Sequence, residues 1–180
     1  MRTRVFVLVL FSFVLLTGCE QFRLRKQLQS FMSTELILPR DVLMITNGRV
    51  ASGNLETTKP ALVFYHGPES CSSCVINHMY DYLSGREEIL AGGKCEIIIL
   101  FSPSGEDSNE VIDRVRELEF PLPICVDRYC DFLRENKDFP RDERFHCFLL
   151  NTKSYPVFVG DPLSSKRLYD LFEKVLESLC

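Results

Sequence analysis

The order of apolar runs and amphipathic stretches between Ala61 and Val126 constrains this chain more than any other feature. Ala61-Leu62-Val63-Phe64-Tyr65 and Cys95-Glu96-Ile97-Ile98-Ile99-Leu100-Phe101 are short and nearly unbroken in apolar character, and Leu122-Pro123-Ile124-Cys125-Val126 is a third such run. Segments of this length predict strands buried on both faces. Between the first two, the stretch from Cys71 to about Leu83 places Val75, Met79 and Tyr82 or Leu83 at helical spacing, with Gly85 as a stop. Between the second and third, Val111, Val115 and Leu118 form another stripe, capped by Asp107 or Ser108. Parallel strands need such crossover helices, so the pattern predicts a sheet covered by helices.

The flanks extend this plan. Downstream, Asp127 to Asn136 reads as a short helix, and Phe145 to Leu150 and Tyr155 to Val159 read as strands joined through Asn151-Thr152-Lys153-Ser154, a hairpin composition. Asp161-Pro162 is expected to open a last helix carrying Leu168, Leu171, Phe172, Val175, Leu176 and Leu179. Upstream, Glu35 to Pro39 and Val42 to Thr46 read as an added N-terminal strand pair, with Asn47-Gly48 supplying a turn. The expected architecture is a three-layer α/β/α sandwich with a central mixed sheet and an added N-terminal β-hairpin.

Cys71-Ser72-Ser73-Cys74 follows the Ala61 run directly and opens a helix-like stretch. The first turn of a helix offers unpaired N–H groups and a positive dipole end, both of which stabilise a thiolate. Cys71 is therefore the expected nucleophile. Cys74, three residues on, closes the small ring of a dithiol/disulfide centre. Glu69, two residues before Cys71, opposes the helix dipole if its carboxylate is close.

Arg2 and Arg4 precede an apolar run from Val5 to Leu16 broken only by Ser12. That run falls short of the about 20 residues of a membrane span and has the shape of a secretory signal. Its end, Leu16-Thr17-Gly18-Cys19, resembles a bacterial lipobox, which implies cleavage before Cys19 and lipidation of its thiol. The expected divisions are 1–18 signal peptide, 19–34 tether or amphipathic segment, and 35–180 folded domain. The expected location is the cell envelope, lipid-anchored, with the domain in the periplasm or at the cell surface. Glu20 stands where an aspartate is associated with inner-membrane retention, which favours the outer membrane. The basic cluster Arg23, Arg25 and Lys26 suits either a helix lying on anionic headgroups or an ordinary solvated helix. Removal of residues 1–18 leaves 19 basic against 25 acidic side chains, a net of −6, and nothing points to a nucleic-acid partner.

Strand, Cys-x-x-Cys at a helix start, strand, helix, then hairpin and closing helix resembles the thioredoxin fold, and most closely the exported, membrane-anchored thioredoxin-like bacterial lipoproteins. The resemblance spans roughly Leu36 to Leu179, including His146-Cys147-Phe148-Leu149-Leu150-Asn151 and Val157-Phe158-Val159-Gly160-Asp161-Pro162. It implies a thiol:disulfide oxidoreductase with Cys71 and Cys74 catalytic, acting on protein thiols or disulfides of the envelope with a redox partner protein. Such proteins carry a cis-proline before the hairpin's first strand. Here Phe145, His146 and Cys147 occupy those positions, Pro140 lies about five residues earlier, and Ser70 stands where a Trp often precedes the pair.

The remaining chemistry is sparser. His66 and His146 are candidate modulators of the dithiol, and Cys147 is a candidate third redox group against the plainer reading of a packed strand thiol. Cys95 reads as a core thiol; Cys125 and Cys130 form a disulfide or remain two packed thiols; Cys180 is terminal. No cofactor is called for, and Val75 after Cys74 excludes a haem-attachment motif. The alternatives are copper or zinc binding through Cys71, Cys74 and His146, with His78 on the face of Cys74, and an inert thioredoxin-like binding module.

Overall fold

The computed structural model describes residues 20–70, 72–83, 94–105, 107–120 and 122–179, the side chains of residues 72–74 excepted. Residues 1–18, expected to be a signal peptide, and Cys19, Cys71, the Cys74 side chain, Gly85 and Cys180 lie outside the described residues. Seven strands form one sheet in the order β2-β1-β5-β4-β3-β6-β7. They are β1 (Val42–Thr46), β2 (Arg49–Gly53), β3 (Ala61–His66), β4 (Glu96–Phe101), β5 (Ile124–Val126), β6 (Cys147–Leu150) and β7 (Pro156–Val159). β3, β4 and β5 run parallel, with His66 beside Phe101 and Phe101 beside Val126, so these strands end level with one another. β6 and β1 join antiparallel on either side.

Side chains alternate across β3, and each face is covered differently. Leu62 and Phe64 join a cluster with Ile76, Met79 and Leu83 of helix α2 (Ser72–Leu83), Val111 and Val115 of α3 (Ser108–Glu117), and Phe172 and Leu176 of α5 (Lys166–Glu177). Ala61, Val63 and Tyr65 face the other way, toward helix α1 (residues 20–32) and Phe132 of α4 (Asp131–Glu135). This second face is aromatic: Phe31 of α1 meets the rings of Phe139, Phe145 and Phe148 edge-on at 5.6, 5.9 and 5.5 Å. Leu24 and Leu28 extend the same stripe at helical spacing, so α1 lies against the domain.

Several boundaries differ from the sequence expectation, each for a local reason. The N-terminal hairpin pairs Val42–Thr46 with Arg49–Gly53 rather than with residues 35–39. Asn47 and Gly48 both take positive φ, 48° and 70°, as a two-residue hairpin turn requires. β2 is exposed over its first four residues, which removes the apolar signal that marks a strand. Residues 35–39 are bonded irregularly instead: the Leu36 N–H donates to the Ser154 carbonyl at 2.9 Å, and Ile37 exchanges two hydrogen bonds with the Asn136 side-chain amide. Phe145 belongs to a 3-10 turn (Glu143–Phe145) rather than to β6. The last helix begins after Ser165, whose Oγ accepts from the Leu168 N–H, and not at Asp161-Pro162. Asp107 precedes α3 without capping it through its side chain, which is engaged by the Ser104 hydroxyl.

Candidate active site

The parallel strands end in a row, and the groups just beyond them build the site. The Ser102 N–H donates to the His66 carbonyl and the Asp127 N–H to the Phe101 carbonyl, both at 2.8 Å, carrying the ladder past the strand ends. From the other side, the Tyr65 N–H donates to the His146 carbonyl at 2.8 Å, which brings the start of β6 against the end of β3. Gly67-Pro68-Glu69-Ser70 then turns the chain toward α2, the Ser70 N–H donating to the Gly67 carbonyl at 3.1 Å. A Cβ at residue 67 would lie 3.2 Å from the Tyr65 hydroxyl oxygen, so any other residue there would have to push the phenol back by a few tenths of an ångström. The Cys-x-x-Cys sequence begins at the next position after Ser70, although Cys71 and the Cys74 side chain lie outside the described residues.

Two hollows flank the 67–70 turn, and His146 borders both. The first is a groove between α2 and the hairpin, bordered by His66, Val75, Met79, Tyr82, Cys147 and Asp161. The second, of about 240 Å³, lies between the turn and residues 133–141, with Tyr65, Phe139 and Pro140 in its wall. His146 is fixed between them: its Nε2 is 3.0 Å from the Pro140 carbonyl, and its ring lies 5.3 Å from those of Phe139 and Tyr65. Pro140 thus reaches the site through a hydrogen bond, despite its place in the sequence. Among the described residues every peptide is trans, including that before His146.

Burial sets the charge state of these groups. The His66 ring lies tilted 4.8 Å from that of Phe101 with its Nε2 sealed from solvent; burial, and then the neighbouring His146, lower its pKa to about 4. Burial also lowers that of His146, against the opposing pull of the Pro140 carbonyl. Both imidazoles are therefore neutral at pH 7. Cys147 pairs with Phe64 across the sheet and lines the groove, yet burial, and then Asp161, push its thiol well above the ordinary range. Both effects favour its protonated form.

Sequence reasoning located His66, His146 and Cys147 at this site and missed Tyr65, Tyr82, Phe139 and Asp161. The Tyr82 hydroxyl donates to Asp161 Oδ2 at 2.6 Å and ties α2 to the segment after β7, while Asp161 Oδ1 accepts from the Leu163 N–H. An Asp-Pro pair signals a turn of this kind as well as a helix start, and that was the available clue. His78 stacks on Tyr82 at 5.7 Å and also borders the groove. The open question over Cys125 and Cys130 resolves to two free thiols, one buried in the core and the other donating to the Pro103 carbonyl at 3.4 Å. Cys95 is buried in the core, as expected. Among the described residues no group of three or more His, Cys, Asp or Glu side chains is placed to hold a metal ion. No described helix is long and apolar enough to cross a membrane.

No protein-family model matches the sequence, and no curated protein matches it. Solved structures do match in fold. A candidate thiol:disulfide interchange protein DsbE from Chlorobium tepidum superposes with a TM-score of 0.51 at 8% identity, covering 79% of this chain and 98% of that one. A thioredoxin-like protein solved in solution in its oxidized form gives 0.50 at 17% identity, covering 81% and 97%. The thioredoxin domain of a thiol-disulfide oxidoreductase from Bacteroides vulgatus gives 0.49 at 17%, covering 79% and 98%.

Proposed function

The chain has a thioredoxin-like α/β fold, and we propose that it is a lipid-anchored thiol:disulfide oxidoreductase of the bacterial cell envelope. One observation carries the reading: the Cys-x-x-Cys sequence begins at the junction of a parallel strand and a helix, beside a groove, at the edge where open α/β sheets hold their ligands. Helix α2 has no acidic residue in its own first turn, and Glu69, in the turn before it, lines the groove. The names of the superposable proteins support protein thiols and disulfides as the partner class.

In this mechanism the Cys71 thiolate attacks one sulfur of a substrate disulfide; a Cys71–substrate disulfide forms and the other substrate sulfur leaves as a thiolate. Cys74, as thiolate, then attacks Cys71 Sγ and releases the second substrate thiolate, leaving Cys71–Cys74 oxidised and the substrate reduced by two electrons. The same steps in reverse oxidise a dithiol. Neutral His66 and His146 add no positive charge to the groove, and the reading assigns thiolate stabilisation to the helix start. Disulfide reduction by wild type, Cys71→Ser, Cys74→Ser and His146→Ala tests this. Turnover is expected in wild type and His146→Ala and lost in either cysteine variant; undiminished turnover in Cys71→Ser overturns the assignment. Metal delivery would instead show as stoichiometric copper or zinc binding that needs His146. Cys19→Ala is expected to lose lipid labelling and membrane retention.

A further inference from the structure

We propose that the first turns of α1 and the 137–144 loop form one surface that faces anionic lipid headgroups, and that this surface sets the catalytic groove against the membrane. The inference rests on the lipid-anchor reading and goes beyond it by fixing orientation. Helix α1 is about 20 Å long and is held along its length by Leu24, Leu28 and Phe31, so it is a rigid bracket and not a slack tether. Its direction is fixed. Residues just past its end bond near Ser154, at the far end of β6, while Glu20, Arg23 and Leu24 at its start border a hollow shared with Arg141, Asp142 and Arg144. The latter segment leads into β6 beside the end of β3. The chain therefore enters the domain at the same edge at which the Cys-x-x-Cys sequence begins.

Three features of that corner suit a lipid surface. The residue preceding α1 is Cys19, so the part of the chain outside the structure ends at this surface. Phe22 is 72% exposed, on the side of α1 opposite its packed stripe, where an aromatic ring suits the headgroup layer. Arg23, Arg25 and Lys26 are exposed against Glu20 alone within α1, in a chain whose net charge is −4. The loop itself is balanced, with Arg144 paired to Asp142 at 2.6 Å, so the basic excess comes from the helix. A free amphipathic helix would bury its leucines in lipid; here the domain already covers them.

The chain has no Trp, so single substitutions give unambiguous reporters. Full-length lipidated Phe22→Trp, Asp138→Trp and Glu56→Trp, each reconstituted in vesicles of phosphatidylglycerol and phosphatidylcholine, are measured with and without brominated acyl chains. All three sites are exposed, and Glu56 lies by the opposite edge, at the start of β4. Bromine is expected to quench Phe22→Trp most and Asp138→Trp clearly, and to leave Glu56→Trp unchanged; the Asp138→Trp quenching is expected to fall in purely zwitterionic vesicles. Quenching of Phe22→Trp with Asp138→Trp no different from Glu56→Trp overturns the orientation while the anchor stands. Equal quenching in both lipids overturns the anionic preference. Protein that fails to float with vesicles at all overturns the anchor reading, and this surface with it.

Discussion

The two faces of the sheet are built on different principles. One is covered by α2, α3 and α5, and aliphatic side chains supply most of its contacts. The other is covered by the single helix α1, the five-residue α4 and irregular chain, and sets Phe31, Tyr65, Phe132, Phe139, Phe145 and Phe148 among its aliphatic side chains. Where regular helices are lacking, edge-on aromatic pairs supply area and orientation together. Buried polar groups supply the missing backbone partners. Asp127, fully buried, accepts from the Asp131 and Phe132 N–H groups and from the Ser102 hydroxyl; Asn136 serves Ile37 in the same way. The site lies on the seam, with α2 on the aliphatic side and the His146 wall on the aromatic side.

The comparison breaks or sharpens first at Phe31. Phe31→Ala removes a ring that is 3% exposed and is expected to cost about 3–5 kcal/mol. Hydrogen exchange should show protection lost in α1 and around Phe139 and Phe145 while α3 and α5 keep theirs. Uniform loss across both faces would mean that they unfold as one unit, and that the difference between them has no energetic consequence.

The seam itself responds to pH. Because the His66 pKa is lowered to about 4 from an unfolded 6.5, the unfolded chain binds more protons between those values. Stability is then full above pH 6.5 and falls as the pH drops toward 4, by up to about 3 kcal/mol. His146, lowered in the same direction, adds to the fall. Urea denaturation between pH 7.5 and pH 4 should show this slope in wild type and a shallower one in His66→Gln; equal slopes would remove His66 as its source.

Smallest is the tie across the aliphatic side of the groove. Tyr82→Phe deletes the partly buried bond to Asp161 and is expected to cost about 1–2 kcal/mol, read as a small shift of the urea midpoint. A null effect would show that packing alone positions α2 there.

The aliphatic face was legible in the sequence because its periodicity is local. Val111 and Val115, or Phe172 and Leu176, announce their helices without reference to anything distant. Even there Ile76, fully buried at the centre of α2, was absent from the predicted stripe. The aromatic face was far less legible. Residues 35–39 look like a strand, and only the remote Asn136 amide and Ser154 carbonyl make them a loop. The pattern Leu24, Leu28, Phe31 was present, but whether it would meet a domain or solvent depends on rings more than a hundred positions away. At the site, His66, His146 and Cys147 could be named from their chemistry, whereas the Pro140 bond and the Tyr82–Asp161 pair are products of folding alone.

Cys125, Cys130 and Cys147 show what the fold does for its own sulfur. All three are free thiols. Burial raises the Cys125 pKa from 9.0 to about 12, which lowers its reactive thiolate population about a thousandfold. Cys130 and Cys147 move in the same direction. In an oxidising compartment native structure is thus a chemical quarantine. Each opening of the chain returns several thiols to ordinary acidity at once, within reach of one another, so variants with a larger unfolded population should accumulate scrambled disulfides before they accumulate aggregates.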